Sequence, residues 1–211
     1  MTADEKLQND ILVEVDRYYT DKILTHGATP RGVDWNSAAT QALRFEVLST
    51  LLPHAGFSVA DLGCGYGAYL DYLGAHRSRF DYLGVDISAN MVEQARKLHD
   101  DKPRARFLRD SKPDVRHDHV VASGIFNVRQ QVEDRAWLQY IHQTIDLMDS
   151  TSRFGFSFNC LTSHSDAGHK QPYLYYGDPS ELFRHCMQYS RHVSLLHGYG
   201  LYEFTILVRK E

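Results

Sequence analysis

Two carboxylates and three glycines supply the first chemistry that can be read from this chain of 211 residues. Gly63, Gly65 and Gly67 lie within Val59 to Asp86, VADLGCGYGAYLDYLGAHRSRFDYLGVD, with Asp61 just ahead of them and Asp86 nineteen residues beyond the last. Glycines let a backbone take positive φ and let a ligand approach the peptide plane. A helix starting at that point aims its unpaired N–H groups and positive dipole end at the same ligand. An acid at the tip of the next strand can accept both hydrogens of a ribose diol. The predicted ligand is therefore adenosine-like. Gly63, Gly65 and Ala68 also satisfy the dinucleotide pattern G-x-G-x-x-G/A, so the glycines alone leave the cofactor open.

These residues require a strand, a tight turn, a helix and a second strand. The apolar run before Gly63 reads as a buried strand, Leu70 and Leu73 share one face of the following helix, and Tyr82 to Val85 form the next strand, ending on Asp86. Upstream, Leu7, Ile11, Val15 and Tyr18 fall at helical spacing. Tyr19 to Ser37, with Gly27, Pro30, Gly32 and Trp35, reads as an ordered irregular segment. Asn36 or Ser37 then caps a helix with Leu43, Val47, Leu48 and Leu51 on its apolar face. Downstream, Ser88 or Asn90 caps a helix carrying Met91, Ala95 and Leu98. Strands follow at Arg104 to Leu108, His119 to Ala122 and Phe154 to Phe158, the last two separated by a long helix with Leu138, Ile141, Ile145 and Met148. A helix from Asp178-Pro179-Ser180 and strands at Val193 to Leu196 and Leu201 to Val208 complete the chain, with His197 to Gly200 as a hairpin turn.

The segment VADLGCGYG, with GVD downstream, resembles the class I S-adenosylmethionine-dependent methyltransferases, and the resemblance runs from about Phe57 to the C-terminus. Asp61 separates this family from dinucleotide enzymes, which would place that anion beside pyrophosphate. The resemblance implies a Rossmann-like α/β fold: a seven-stranded, mostly parallel sheet with an antiparallel last strand, helices on both faces, and an N-terminal helical lid. It divides the chain into a lid over residues 1–52 and a cofactor-binding core over 53–211. For S-adenosylmethionine it implies Asp61 under the methionine end, the turn Gly63, Cys64, Gly65 and Gly67, and Asp86 on the ribose. Ile87 would pack on the adenine face, and Asp110 with Ser111 would take the adenine amino group. Cys64 reads more simply as a small residue tolerated in the turn.

The carboxyl ends of parallel strands hold the ligand, so Ser123, Gly124, Ile125, Phe126 and Asn127 are expected to line the pocket near the transferable methyl. The lid offers Tyr18, His26, Trp35 and Arg44 to an acceptor. Residues 159–177 are too long for an ordinary connection and dense in His and Tyr. They offer Asn159, His164, Tyr175 and Tyr176, and the last hairpin offers His197 and Tyr199. His164, Tyr176 and Asn127 are the catalytic candidates. In-line methyl transfer needs chiefly positioning and exclusion of water, and a base helps an oxygen nucleophile.

The chain after the fourth strand, Ser123 to Asn127, differs from the Asn/Asp-Pro-Pro-aromatic sequence of enzymes that methylate base amines or glutamine amides. The expected reaction is methyl transfer to a small molecule; the alternatives are an RNA or protein acceptor, or a non-catalytic binding module. The net charge of −4 and the lack of any long Lys/Arg block speak against a nucleic-acid partner. The polar, acidic start MTADEKLQND predicts no signal peptide, there is no long apolar run, and three scattered cysteines fit a cytoplasmic enzyme. The twelve histidines form no convincing metal-ligand set. The sequence leaves the oligomeric state open.

Overall fold

Val59, Ala60 and Leu62 are fully or almost fully buried, which is why the run before Gly63 forms the central strand. The structure, a computed structural model, describes residues 3–35 and 37–210. This strand, β1 (Ala55–Leu62), pairs in parallel with β2 (Ser78–Asp86) on one side and β4 (His117–Ala122) on the other. Beyond them β3 (Ala105–Arg109) joins β2, and β5 (Ser152–Leu161) joins β4, both in parallel. Then β7 (Glu203–Arg209) inserts antiparallel between β5 and β6 (His192–Leu196). The sheet is seven-stranded, in the order β3-β2-β1-β4-β5-β7-β6. Only β7 runs against the rest, as the sequence implies.

Two apolar layers cover the sheet. One face carries α2 (Ala38–Leu48), α3 (Ala68–His76) and α4 (Ala89–Leu98), which bury Phe45, Leu70, Leu73, Val92 and Ala95. The other carries α5 (Asp134–Thr151) and α6 (Pro179–Cys186), with Trp137, Ile141, Ile145, Met148 and Leu182 inward. Ser37 caps α2 by accepting from Thr40 N, and Ser88 and Asp178 cap α4 and α6 in the same way. The other capping candidate for α2, Asn36, lies outside the described residues. Among the described residues, no helix is long and apolar enough to cross a membrane.

Three expectations need correction. The first helix, α1 (Ala3–His26), continues through Tyr19 to His26, where irregular chain was expected. Nothing in YTDKILTH breaks a helix, and the stop comes at Gly27, whose N–H bonds Ile23 O at 2.8 Å. Strand β5 runs on to Leu161, so Asn159 sits within the sheet opposite Thr205 instead of opening a loop. The link between β6 and β7 is also longer than a tight turn, because β7 starts only at Glu203.

Candidate active site

At the carboxyl ends of β1, β2, β3 and β4 lies a cleft of about 1050 Å³, its open mouth included. Its floor is the glycine turn. Gly63 has φ +75°, and a Cβ there would lie 2.2 Å from Ile125 Cγ2, so the turn packs against the β4 exit only as glycine. Gly63 N and Cys64 N donate to Val85 O, tying the turn to β2. Asp86 is tied in turn: Oδ2 accepts from Gly65 N and Oδ1 from Ser88 N, both at 2.9 Å. Desolvation pushes its carboxyl up to about 6, with the two amides opposing the rise. Asp61 is buried with Oδ2 accepting the Tyr82 hydroxyl at 2.6 Å. Burial pushes it up to about 7, against the lowering effect of Tyr82, and nearby Asp86 adds to the rise. Two carboxyls poised this way gain by pairing with a cation.

The remaining floor is Ile87, Asp110, Ser111, Ser123 and Gly124. Helices close the other sides: α1 through Gln8, Leu12, Val15 and Tyr19, α2 through Gln41 and Phe45, and α5 through Tyr140, Thr144 and Leu147. Trp35 completes the wall against Gly124, where a Cβ would meet the indole at 2.4 Å. The Arg44 guanidinium lies 4.0 Å from the Trp35 ring centroid and donates to Glu203 Oε2 at 2.7 Å. Behind the wall, then, a buried ion pair braces the indole.

The family model described as "Methyltransferase domain" matches residues 60–146. The protein named "Putative methyltransferase Rv1506c" of Mycobacterium tuberculosis is 52% identical over 155 residues, which are 73% of this chain and 93% of that one. The chain belongs to the class I S-adenosylmethionine-dependent methyltransferases. Solved structures carry the same fold. The "DhpI-SAM-HEP complex" matches with a TM-score of 0.66 at 15% identity, covering 95% of this chain and 98% of that one. The magnesium protoporphyrin IX methyltransferase of Synechocystis PCC 6803, solved with the cofactor bound, matches at 0.59 and 13% identity over 82% and 80%.

This methyltransferase uses S-adenosylmethionine, and the residues present fit it. The Ser123 hydroxyl is buried in the cleft wall with no hydrogen-bond partner, and the two desolvated carboxyls suit a cationic cofactor. Of the expected cofactor residues, Asp61, Gly63, Cys64, Gly65, Asp86, Ile87, Asp110, Ser111 and Ser123 all line the cleft. Gly67 does not. It takes φ +88° as the N-cap of α3 and packs toward His99.

The acceptor candidates scatter, and Trp35 alone among them lines the cleft. Tyr18 points away from it: its hydroxyl donates to Asp34 Oδ2 at 2.7 Å, and Lys22 pairs with the other oxygen. His26 is exposed at the end of α1. Arg44 is engaged by Glu203. Phe126 is fully buried against Tyr140 and Phe158. Asn127 Oδ1 accepts from Leu161 N, and its carbonyl accepts from Tyr175 N at 2.8 Å, so it stitches the β4 exit to the long loop. Asn159 accepts from Gly124 N and donates to Glu203. Tyr175 is buried in the core, and the Tyr176 hydroxyl accepts from Gln171 N. His164 is exposed; His197 bonds Thr162 Oγ1 at 2.9 Å, and the Tyr199 hydroxyl donates to Glu203 Oε1. The 159–177 segment thus lies beside the cleft without lining it. Helical spacing was the signal that could have found Gln8, Leu12, Val15 and Tyr19; nothing local marked Tyr140 or Thr144.

Proposed function

We propose that the chain transfers the methyl group of S-adenosylmethionine to a small molecule held in this cleft. The observation that carries the reading is the meeting, in one cavity, of the glycine turn and Asp61, Asp86, Asp110 and Ser123 under a roof of α1 and Trp35. In this reading Asp86 takes the ribose diol, Ile87 the adenine face, and Asp110 with Ser111 the adenine amino group. Asp61 and the Gly63–Gly65 turn lie at the methionine end, with Ser123 and Gly124 beside it. Residues 1–52 act as a lid over the 53–211 core. A roof that crosses the cleft favours a small acceptor over a polymer, and it excludes water while the walls hold the nucleophile about 3 to 3.5 Å from the methyl carbon.

The test is calorimetry on the whole chain. S-adenosylmethionine should bind, and Asp86→Ala should weaken it by about 1.5 to 3 kcal/mol as charge-assisted bonds to the ribose are lost. Unchanged affinity would remove the ribose assignment. Binding with no S-adenosylhomocysteine formed from any acceptor would leave a binding module in place of an enzyme.

A further inference from the structure

The charges around the cleft are unevenly distributed. Asp61, Asp86 and Asp110 all belong to the sheet side. The helical side is uncharged: Gln8, Leu12, Tyr19, Tyr140, Thr144 and Leu147 present aliphatic carbon, aromatic rings, hydroxyls and amides. Among the described residues that line the cleft, none is Lys, Arg or His. Of the nearby cations, Arg44 pairs with Glu203 and Lys22 with Asp34, while Arg109 donates to Ile87 O at the adenine end and is not among the lining residues. With Asp61, Asp86 and Asp110 taken up by the cofactor in the reading above, an anionic acceptor would lose its hydration against a wall that offers no Lys, Arg or His to pair with, which is costly in a low-polarity site.

Among the described residues the helical walls carry no histidine or carboxylate to take a proton, and Asp86 and Asp110 are engaged by the cofactor in the reading above. The catalytic candidate His164 sits with His197 in the loop cluster outside the cleft, their rings 6.1 Å apart. Asp61 is held by Tyr82 under the turn. A hydroxyl acceptor would do without the roughly 10²- to 10⁴-fold help of a general base, whereas a nitrogen lone pair needs none.

Building on the reading above, we infer that the methyl acceptor is an uncharged molecule with an aromatic or aliphatic body that attacks through a nitrogen lone pair. The lone pair forms the N–CH3 bond as the C–S bond breaks, the bonding electrons stay on sulfur, and the positive charge passes from sulfur to nitrogen. A nitrogen that carries hydrogen then releases a proton to water once the product leaves; a ring nitrogen keeps its charge. Tyr19 and Tyr140 suit the cationic product, since aromatic faces attract cations, whereas Trp35 already carries the Arg44 guanidinium.

The experiment uses three probes that share one bicyclic body: isoquinoline, 2-naphthol and 2-naphthoate. Cofactor binding is first measured by calorimetry, and its failure would strike the methyltransferase assignment of the cleft, not this inference. With protein loaded with S-adenosylhomocysteine, binding of each probe is then read by quenching of Trp35 fluorescence. The two neutral probes should bind at least about tenfold tighter than the carboxylate. With S-adenosylmethionine, methyl should pass to isoquinoline and not to 2-naphthol. Equal or tighter binding of 2-naphthoate, binding of none of the three, or transfer to 2-naphthol alone would each overturn the inference. Leu12→Lys and Gln8→Lys place a cation on the uncharged wall at partly exposed positions, and each should reverse the binding order. An unchanged order in both, with cofactor affinity retained, would show that the probes bind elsewhere.

Discussion

The carboxyl edge of the sheet holds two clusters of polar side chains that look alike in sequence and differ in how far their hydrogen bonds are satisfied. At the exits of β1, β2 and β4 the groups face a cleft. Ser123 has no partner, and Asp61 and Asp86 are desolvated with their carboxyls pushed upward. At the exit of β5 and the start of β7, Asn159, Tyr199 and Arg44 all bond Glu203, and neighbouring Asn127 is taken by Leu161 N. The first cluster is open to a ligand and the second is closed. Function here follows from what is left unsatisfied, and residue type alone does not reveal it.

The largest expected effect breaks the closed cluster. Glu203 is buried, and burial raises its carboxyl against the lowering influence of Arg44. Glu203→Ala leaves the Arg44 guanidinium buried and unpaired, so the protein should lose about 3 to 5 kcal/mol in denaturant unfolding. The double variant Arg44→Met with Glu203→Leu should recover most of that loss. If the single variant costs as little as a surface substitution, the cluster is not a closed brace.

A second effect, about 2 to 4 kcal/mol between pH 5 and pH 7.5, should come from pH at the open cluster. Both carboxyls are raised from 3.8 in the fold, Asp61 to about 7 and Asp86 to about 6. The folded state therefore holds protons that the unfolded chain releases. That contribution is complete below about pH 4 and is lost as pH rises through 6 and 7. The cofactor-free protein should thus melt at a lower temperature at pH 7.5 than at pH 5 on this account, and Asp61→Asn should flatten the trend. Cofactor affinity should rise over the same window, because a cation favours the ionised pair. An affinity that falls with rising pH would contradict the charge reading of the cleft.

The roof sharpens the contrast further. Cofactor should slow amide exchange along α1 and the arm from Gly27 to Trp35 while hardly changing β1 and β4, because the ligand suppresses local opening. Equal protection with and without cofactor would make these segments fixed packing. The smallest effect belongs to the loop candidates: His164→Ala and Tyr176→Phe should leave turnover within about twofold, as for surface changes away from a site. A loss of a hundredfold in either would bring the 159–177 segment back to the reacting centre.

The sequence by itself determined the strand, turn, helix and strand around Asp61 to Asp86, because each depends on local spacing: glycines where the chain must turn, apolar residues at the period of the element, and an acid at a strand tip. It also carried the antiparallel ending, through two strands close in the chain. Only the tertiary structure decided which polar residues face the cleft. On α1 a shift of one residue turns the helix by about 100°, which puts Tyr19 in the cleft and Tyr18 on Asp34. Asn159 and Arg44 looked free to meet an acceptor until packing brought Glu203, 44 residues beyond the one and 159 beyond the other, within hydrogen-bond reach of both. A side chain's partner lies across the fold, and whether it is protein or ligand depends on contacts that no local pattern records.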